Sequence, residues 1–194
     1  MPTVSCPGIN QDAFLDCTKP LAAGVKDMLY LFNLADIETI TEGETNPNLI
    51  EGFTLKAGAF IYQFEGRNNS IEPRSALVKG RYSVTYDHEL IFKMFNVDTY
   101  MKEQLQFMCN TKVVAIVENN YSGQAGQLPF EIYGLRTGLE MTALERVVND
   151  SETQGAYNCT LSTSEQIKEP YLPATLFLTN YATTKAIITT NFVD

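Results

Sequence analysis

The chain of 194 residues carries 14 Lys and Arg against 23 Asp and Glu, a formal charge of −9 with a pI near 4.6. This acidic balance argues against tight binding to nucleic acid or an anionic membrane, because there is no basic surplus to release counterions. Hydrophobic content of 44% with 19% charged residues argues against disorder, and a folded chain of this length buries roughly 70% of its unfolded surface, enough for one core without a staple.

Met1 to Gly8 lacks a basic stretch followed by an apolar run, so no secretory signal is expected. Residues 1–20 read as an N-terminal arm and residues 21–194 as a single β-rich domain. Cys6, Cys17, Cys109 and Cys159 show no CxxC spacing, so neither a metal site nor a redox motif is expected. A reduced state is the default, since a Cys6 to Cys17 disulfide needs an oxidising compartment.

Lys26 to Leu34 is apolar on both parities, the mark of a central strand covered on two sides. Acids then dominate: Asp27, Asp36, Glu38, Glu42, Glu44 and Glu51 occur with no Lys or Arg among them. Two readings follow. One is a solvated loop and strand edge; the other is a negative surface that lets a polyanion slide past by repulsion.

Leu49 to Lys56 is a weaker strand. Phe60, Tyr62 and Phe64 alternate with Gln63 and Glu65, and turns are expected at Asn46-Pro47-Asn48 and Gly66 to Asn69. The clearest signal runs from Arg81 to Phe95, where Tyr82, Val84, Tyr86, His88, Leu90, Phe92 and Met94 share one parity. An extended run of this length reaches roughly 45 Å. A strand so long needs a large sheet, or a neighbouring copy, to cover it; Tyr82, Val84, Tyr86, Leu90 and Phe92 are therefore candidates for a structural and assembly strand.

Val97, Met101, Leu105 and Met108 recur at helical spacing, with Asp98 or Thr99 as cap and Asn110 placed for a left-handed end. The spacing predicts a helix over Asp98 to Cys109, lying on a sheet face. Thr111 to Glu118 repeats the doubly apolar pattern, Ser122 to Gly126 reads as a hairpin tip, and Phe130 to Leu135 is a weaker strand. Gly138 to Leu144 fits a strand or a helix. Tyr157, Cys159 and Leu161 alternate with polar residues, and Lys185 to Val193 is a further weak strand. The fold class expected is mainly β: an antiparallel sandwich or barrel with one principal flanking helix.

Reactive groups are scarce. His88 is the one imidazole, and alternation turns its ring away from Asp87 and Glu89, which favours a hydrogen-bonded structural histidine over a catalytic one. The Ser122 to Gln127 loop lacks a phosphate-binding ending, no EF-hand run occurs, and no local spacing defines a carboxylate pair. No catalytic, cofactor-binding or metal site is expected, and no membrane span.

The segments Lys79-Gly80-Arg81-Tyr82 with Tyr86-Asp87-His88, Val113 to Asn119, Phe130 to Leu135 with Gly138-Leu139-Glu140, Gln154 to Tyr157, Lys168 to Pro173 and Tyr181 to Ala186 resemble a family of virion structural proteins of phages and prophages from Bacteroidetes hosts, crAss-like phages among them. The likeness runs from about Leu21 onward. It implies a tail-tube or tail-ring subunit, made in the host cytoplasm and resident in the virion tail or neck. It also implies partnership with copies of itself in a ring, with six subunits expected, and with neighbouring tail or neck proteins. DNA passes through such a ring without specific binding, along a negative lining for which Asp36, Glu38, Glu42 and Glu44 are the candidates. The alternatives are a head-to-tail connector, a capsid-surface protein, a small-molecule-binding barrel and an acid-catalysed hydrolase.

Overall fold

The two doubly apolar segments become the centre of the fold. In the computed structural model, which describes residues 22–192 except 45 and 124, together with 9, 12 and 13, they form β1 (Val25–Asn33) and β7 (Val113–Asn119), paired antiparallel. The remaining strands and α-helices are β2 (Ile37–Glu42), β3 (Leu49–Leu55), β4 (Tyr62–Glu65), β5 (Ile71–Lys79), β6 (Val84–Met94), α1 (Thr99–Met108), β8 (Phe130–Tyr133), β9 (Glu140–Arg146), β10 (Tyr157–Ser162), β11 (Ala174–Leu176) and α2 (Tyr181–Thr189), with a short 3-10 turn at Leu34–Asp36. They build a seven-stranded sheet, β2-β3-β11-β8-β7-β1-β4, and a four-stranded sheet, β5-β6-β10-β9. All strand pairs are antiparallel except β11 with β3. The fold is thus a two-sheet sandwich with flanking helices, not a closed barrel.

Strand alternation sends side chains into two apolar layers. Leu29 and Leu31 of β1 with Ala115 and Val117 of β7 face the four-stranded sheet, where they meet Leu90, Phe92 and Leu161. Tyr30 and Phe32, with Val114 and Ile116, face the opposite way and are covered by Ile188 of α2. Each fully buried side chain of this kind contributes roughly 1.5–3 kcal/mol. Helix α1 closes one end of the first layer with Leu105 and Met108. Its start is capped by Asp98, whose carboxylate accepts the Met101 N–H at 2.7 Å.

Several expectations are corrected. Lys185 to Val193 is not a strand: α2 covers most of it. Its β-branched run favours extended backbone locally, but Asn180 caps a helix by accepting the Thr183 N–H at 3.0 Å, and Thr184 and Ile188 bury one face on the sheet. Asn110 is not left-handed; its amide instead donates to the Gln106 carbonyl, satisfying an end group by side chain. Gly138 to Leu144 resolves to strand. The long strand begins at Val84, with Tyr82 in the turn before it. Strands β2, β5 and β11 carry no clear alternation and went unanticipated. The expected N-terminal arm and the Cys6 to Cys17 pairing lie outside the described residues, save for 9, 12 and 13.

Candidate functional site

Buried polar groups are the first place to look for chemistry, and His88, 2% exposed, is the imidazole among them. Its Nδ1 accepts the Gly134 N–H at 3.2 Å, which places the proton on Nε2, 3.1 Å from the Tyr171 carbonyl that accepts it. Burial holds its pKa below the usual imidazole value, against the pull of Glu169 and the Tyr171 carbonyl. Gly134 is required here. Its φ is +71°, and a Cβ would sit 2.6 Å from Leu139 Cγ. Both ring nitrogens are occupied by backbone, so the ring has no free lone pair for proton transfer.

Buried Glu169 is engaged through one of its two carboxylate oxygens. Its Oε1 accepts the Arg136 N–H at 2.9 Å, the Thr137 N–H at 2.8 Å and the Thr137 hydroxyl at 3.0 Å. Its own backbone pairs with Tyr86. On the far side of the larger sheet, Glu118 accepts from Lys26 and from the Tyr181 hydroxyl at 2.8 Å, with Lys185 at 3.6 Å. Burial opposes its ionisation, but these donors outweigh that and lower its pKa. This cluster fastens α2 to β1 and β7. Cys159 lies in the core, its pKa pushed up to about 12 by burial. Among the described residues no group of three or more His, Cys, Asp or Glu side chains is placed to hold a metal ion. No helix of the described residues is long and apolar enough to cross a membrane.

Surfaces offer more than the interior. Strands β5 and β6 form a long hairpin with register Ile71 to Phe92 through Lys79 to Val84. Strand β10 flanks β6 only from Glu89 to Met94, and the last tie before the tip is the Tyr86 to Glu169 bridge. Cross-strand register puts Leu77 beside Tyr86 and Lys79 beside Val84, on the face that carries His88 and Leu90. That face is buried at Leu90 and Phe92 but runs on past the core. Leu77 is 62% exposed, Val84 53% and Tyr82 88%.

The candidate assembly residues therefore divide. Leu90 and Phe92 are spent inside the subunit, Tyr86 is half-buried, and Tyr82 and Val84 stand outside it. Leu77, which no alternation marked, joins the exposed group.

Among the described residues the four-stranded sheet also ends in two strands with no partner on their outer side, β5 and β9. Beside β9, Leu144, Val147 and Val148 are exposed. The outward face of this sheet is mostly polar: Glu72 and Arg74 on β5, Asp87, Glu89 and Lys93 on β6, Asn158, Thr160 and Ser162 on β10, Glu145 on β9, with Val78, Ile91 and Ala143 among its apolar members. Arg74 pairs with Glu72 at 3.0 Å and Glu89 at 3.3 Å, and Lys168 pairs with Asp87 at 3.0 Å.

The four candidate channel acids gather on and around β2, at the edge of the other sheet. Asp36 accepts from the Asn33 amide at 2.8 Å, Glu42 pairs with Arg136 at 2.6 Å, and Glu38 and Glu44 are exposed. Two register shifts interrupt β2 against β3. Charge and bulging are the usual means of keeping a sheet edge from pairing with another chain. These acids and the polar face of the smaller sheet occupy different surfaces, so a channel lined by one is not lined by the other. No family model, curated protein or solved structure matches the chain.

Proposed function

We propose that the chain is a virion structural subunit of phage tail-tube or tail-ring type, which joins copies of itself into a ring that conducts DNA. The observation that carries this reading is the apolar surface left outside the core along both open edges of the four-stranded sheet: Leu77, Tyr82 and Val84 beside β5, and Leu144, Val147 and Val148 beside β9. Two different edges meeting head to tail form a heterologous contact, which closes into a ring when the rotation permits. The occupied nitrogens of His88 and the three hydrogen bonds on one oxygen of Glu169 favour a structural role over a hydrolase.

Packing favours one orientation. The larger sheet and α2 lie on the inner side of the four-stranded sheet, and circumference grows with radius, so the bulkier layer belongs outside and the polar face lines the channel. Six copies of four strands, spaced about 4.8 Å apart, give a circumference of about 115 Å and a backbone diameter of about 37 Å, wider than a DNA duplex. Carboxylates on this face are largely matched by bases, and its hydroxyl and amide groups offer no cationic surplus to hold phosphates.

Pro73 supplies the test. It lacks an N–H yet pairs with Leu90, so its nitrogen points to the open side, and period two makes Ser75 point the same way. Ser75→Pro removes a donor from the open edge while leaving the β6 ladder intact. Electron microscopy of the full chain is expected to show rings, and the variant to remain folded without forming them. Wild-type protein that stays monomeric at every concentration, or a variant that still closes rings, would overturn the proposal.

A further inference from the structure

The turn between β2 and β3 faces the His88 segment of β6 across a small cavity of about 10 Å³, with Pro47, Asn48, His88, Arg136, Glu169 and Tyr171 on its wall. Most polar groups of that wall are paired within the chain. Both nitrogens of His88 meet backbone, and the Asn48 carbonyl accepts the Thr175 N–H at 2.7 Å. Two acceptors are left over. Asn48 Oδ1 is buried and has no donor among the described residues. Glu169, 2% exposed, accepts its three hydrogen bonds through Oε1, so its Oε2 also lacks a donor among the described residues.

We infer that one water molecule is built into this cavity and bridges Asn48 Oδ1 to Glu169 Oε2, donating one hydrogen to each. The volume is close to that of a single water. An occupant that faces two acceptors must donate twice, which excludes an anion and an apolar group. A cation is opposed by the Arg136 guanidinium, which stands 3.5 Å from the Pro47 carbonyl and 5.8 Å from the centre of the Tyr171 ring, so positive charge already lies against two residues of the wall. Away from bulk solvent an unpaired acceptor is costly, and one fixed water satisfies both. The bridge joins the β2–β3 turn to the segment whose Glu169 backbone pairs with Tyr86 of β6. It lies inside one subunit and stands whether or not rings form.

The test reads the full chain twice. In crystals at a resolution that orders internal waters, a peak is expected within hydrogen-bond distance, about 2.5–3.0 Å, of both oxygens, and it should be unchanged when rubidium salts replace sodium salts. In solution, nuclear Overhauser cross-peaks are expected between a long-lived water and the methyl groups of Ile132 and Ala174, which line the same cavity. Asn48→Leu removes one acceptor and is expected to abolish those cross-peaks; should that variant fail to fold, the wild-type measurements decide alone. Absence of the peak or of the cross-peaks, an anomalous rubidium signal between the two oxygens, or an Asn48 amide turned so that its nitrogen bonds Glu169 directly would overturn the inference. Cross-peaks that survive in folded Asn48→Leu would overturn it too.

Discussion

His88 shows how a lone imidazole can be structural. Protonating Nδ1 would set a new N–H against the Gly134 N–H and place a charge in a dry site. The unfolded chain takes up that proton near pH 6.5, while the folded pKa is lower. The contribution is therefore fully present above about pH 6.5 and is lost as pH falls from there toward the folded value, since the unfolded state binds the extra proton. Urea midpoints between pH 7.5 and 5 should fall for the wild type, and the slope should flatten in His88→Gln. Equal slopes would assign the acid sensitivity to other groups. Side-chain direction was legible from alternation at this position. The two backbone partners were not, because Gly134 and Tyr171 arrive from segments 46 and 83 residues away.

At the level of elements, local chemistry decided some assignments and packing decided others. Asp98 and the Met101, Leu105, Met108 spacing mark α1 in the sequence, because cap and apolar stripe agree. Leu105→Pro should cost about 3 kcal/mol or more through a lost hydrogen bond and a clash with the preceding turn, and Asp98→Ala about 1 kcal/mol; thermal unfolding checks both. Helix α2 was hidden by Ile187, Ile188, Thr189 and Thr190, whose shape suits a strand when no sheet face is in view. Strand β5 was hidden for another reason. Glu72 to Lys79 is exposed or half-buried throughout, so no core face imposes a period on it. The alternation of β6, by contrast, reads true to its register yet overstates burial: Tyr82 and Val84 keep the parity of Leu90 and Phe92 without their cover.

For the whole molecule, the placement of charge decides which surface would line the channel of the proposed ring. Reversing Glu72, Glu89 and Glu145 to Lys on the polar face should create salt-dependent DNA affinity in assembled particles and slow DNA passage, since each new phosphate contact strengthens binding. Reversing Asp36, Glu38, Glu42 and Glu44 around β2 should do neither if those acids only guard a sheet edge. DNA retention that follows the second set and not the first would move the lumen to the β2 side. The acidic stretch was plain in the sequence; its position at the far edge of the other sheet was not, since β3, which carries β2, joins the rest of that sheet only through β11.

That short strand also sets the order of events as the chain is made. Strand β11 spans Ala174–Leu176, yet it stands between β3 and β8, with Thr175 N–H bonded to the Asn48 carbonyl at 2.7 Å and Phe177 N–H to the Ile50 carbonyl at 3.0 Å. Until residue 176 has left the ribosome, the larger sheet exists as two pieces, each offering a raw apolar edge. Contacts this distant in sequence form slowly and leave intermediates prone to aggregation. A chain ending at residue 173 should accordingly be recovered in aggregates and not as folded subunits, and refolding of the full chain should lose yield as its concentration rises. The larger sheet is protected from premature association only once residues 174–176 are in place, so the hazard lies in the order of folding and not in the stability of the finished fold.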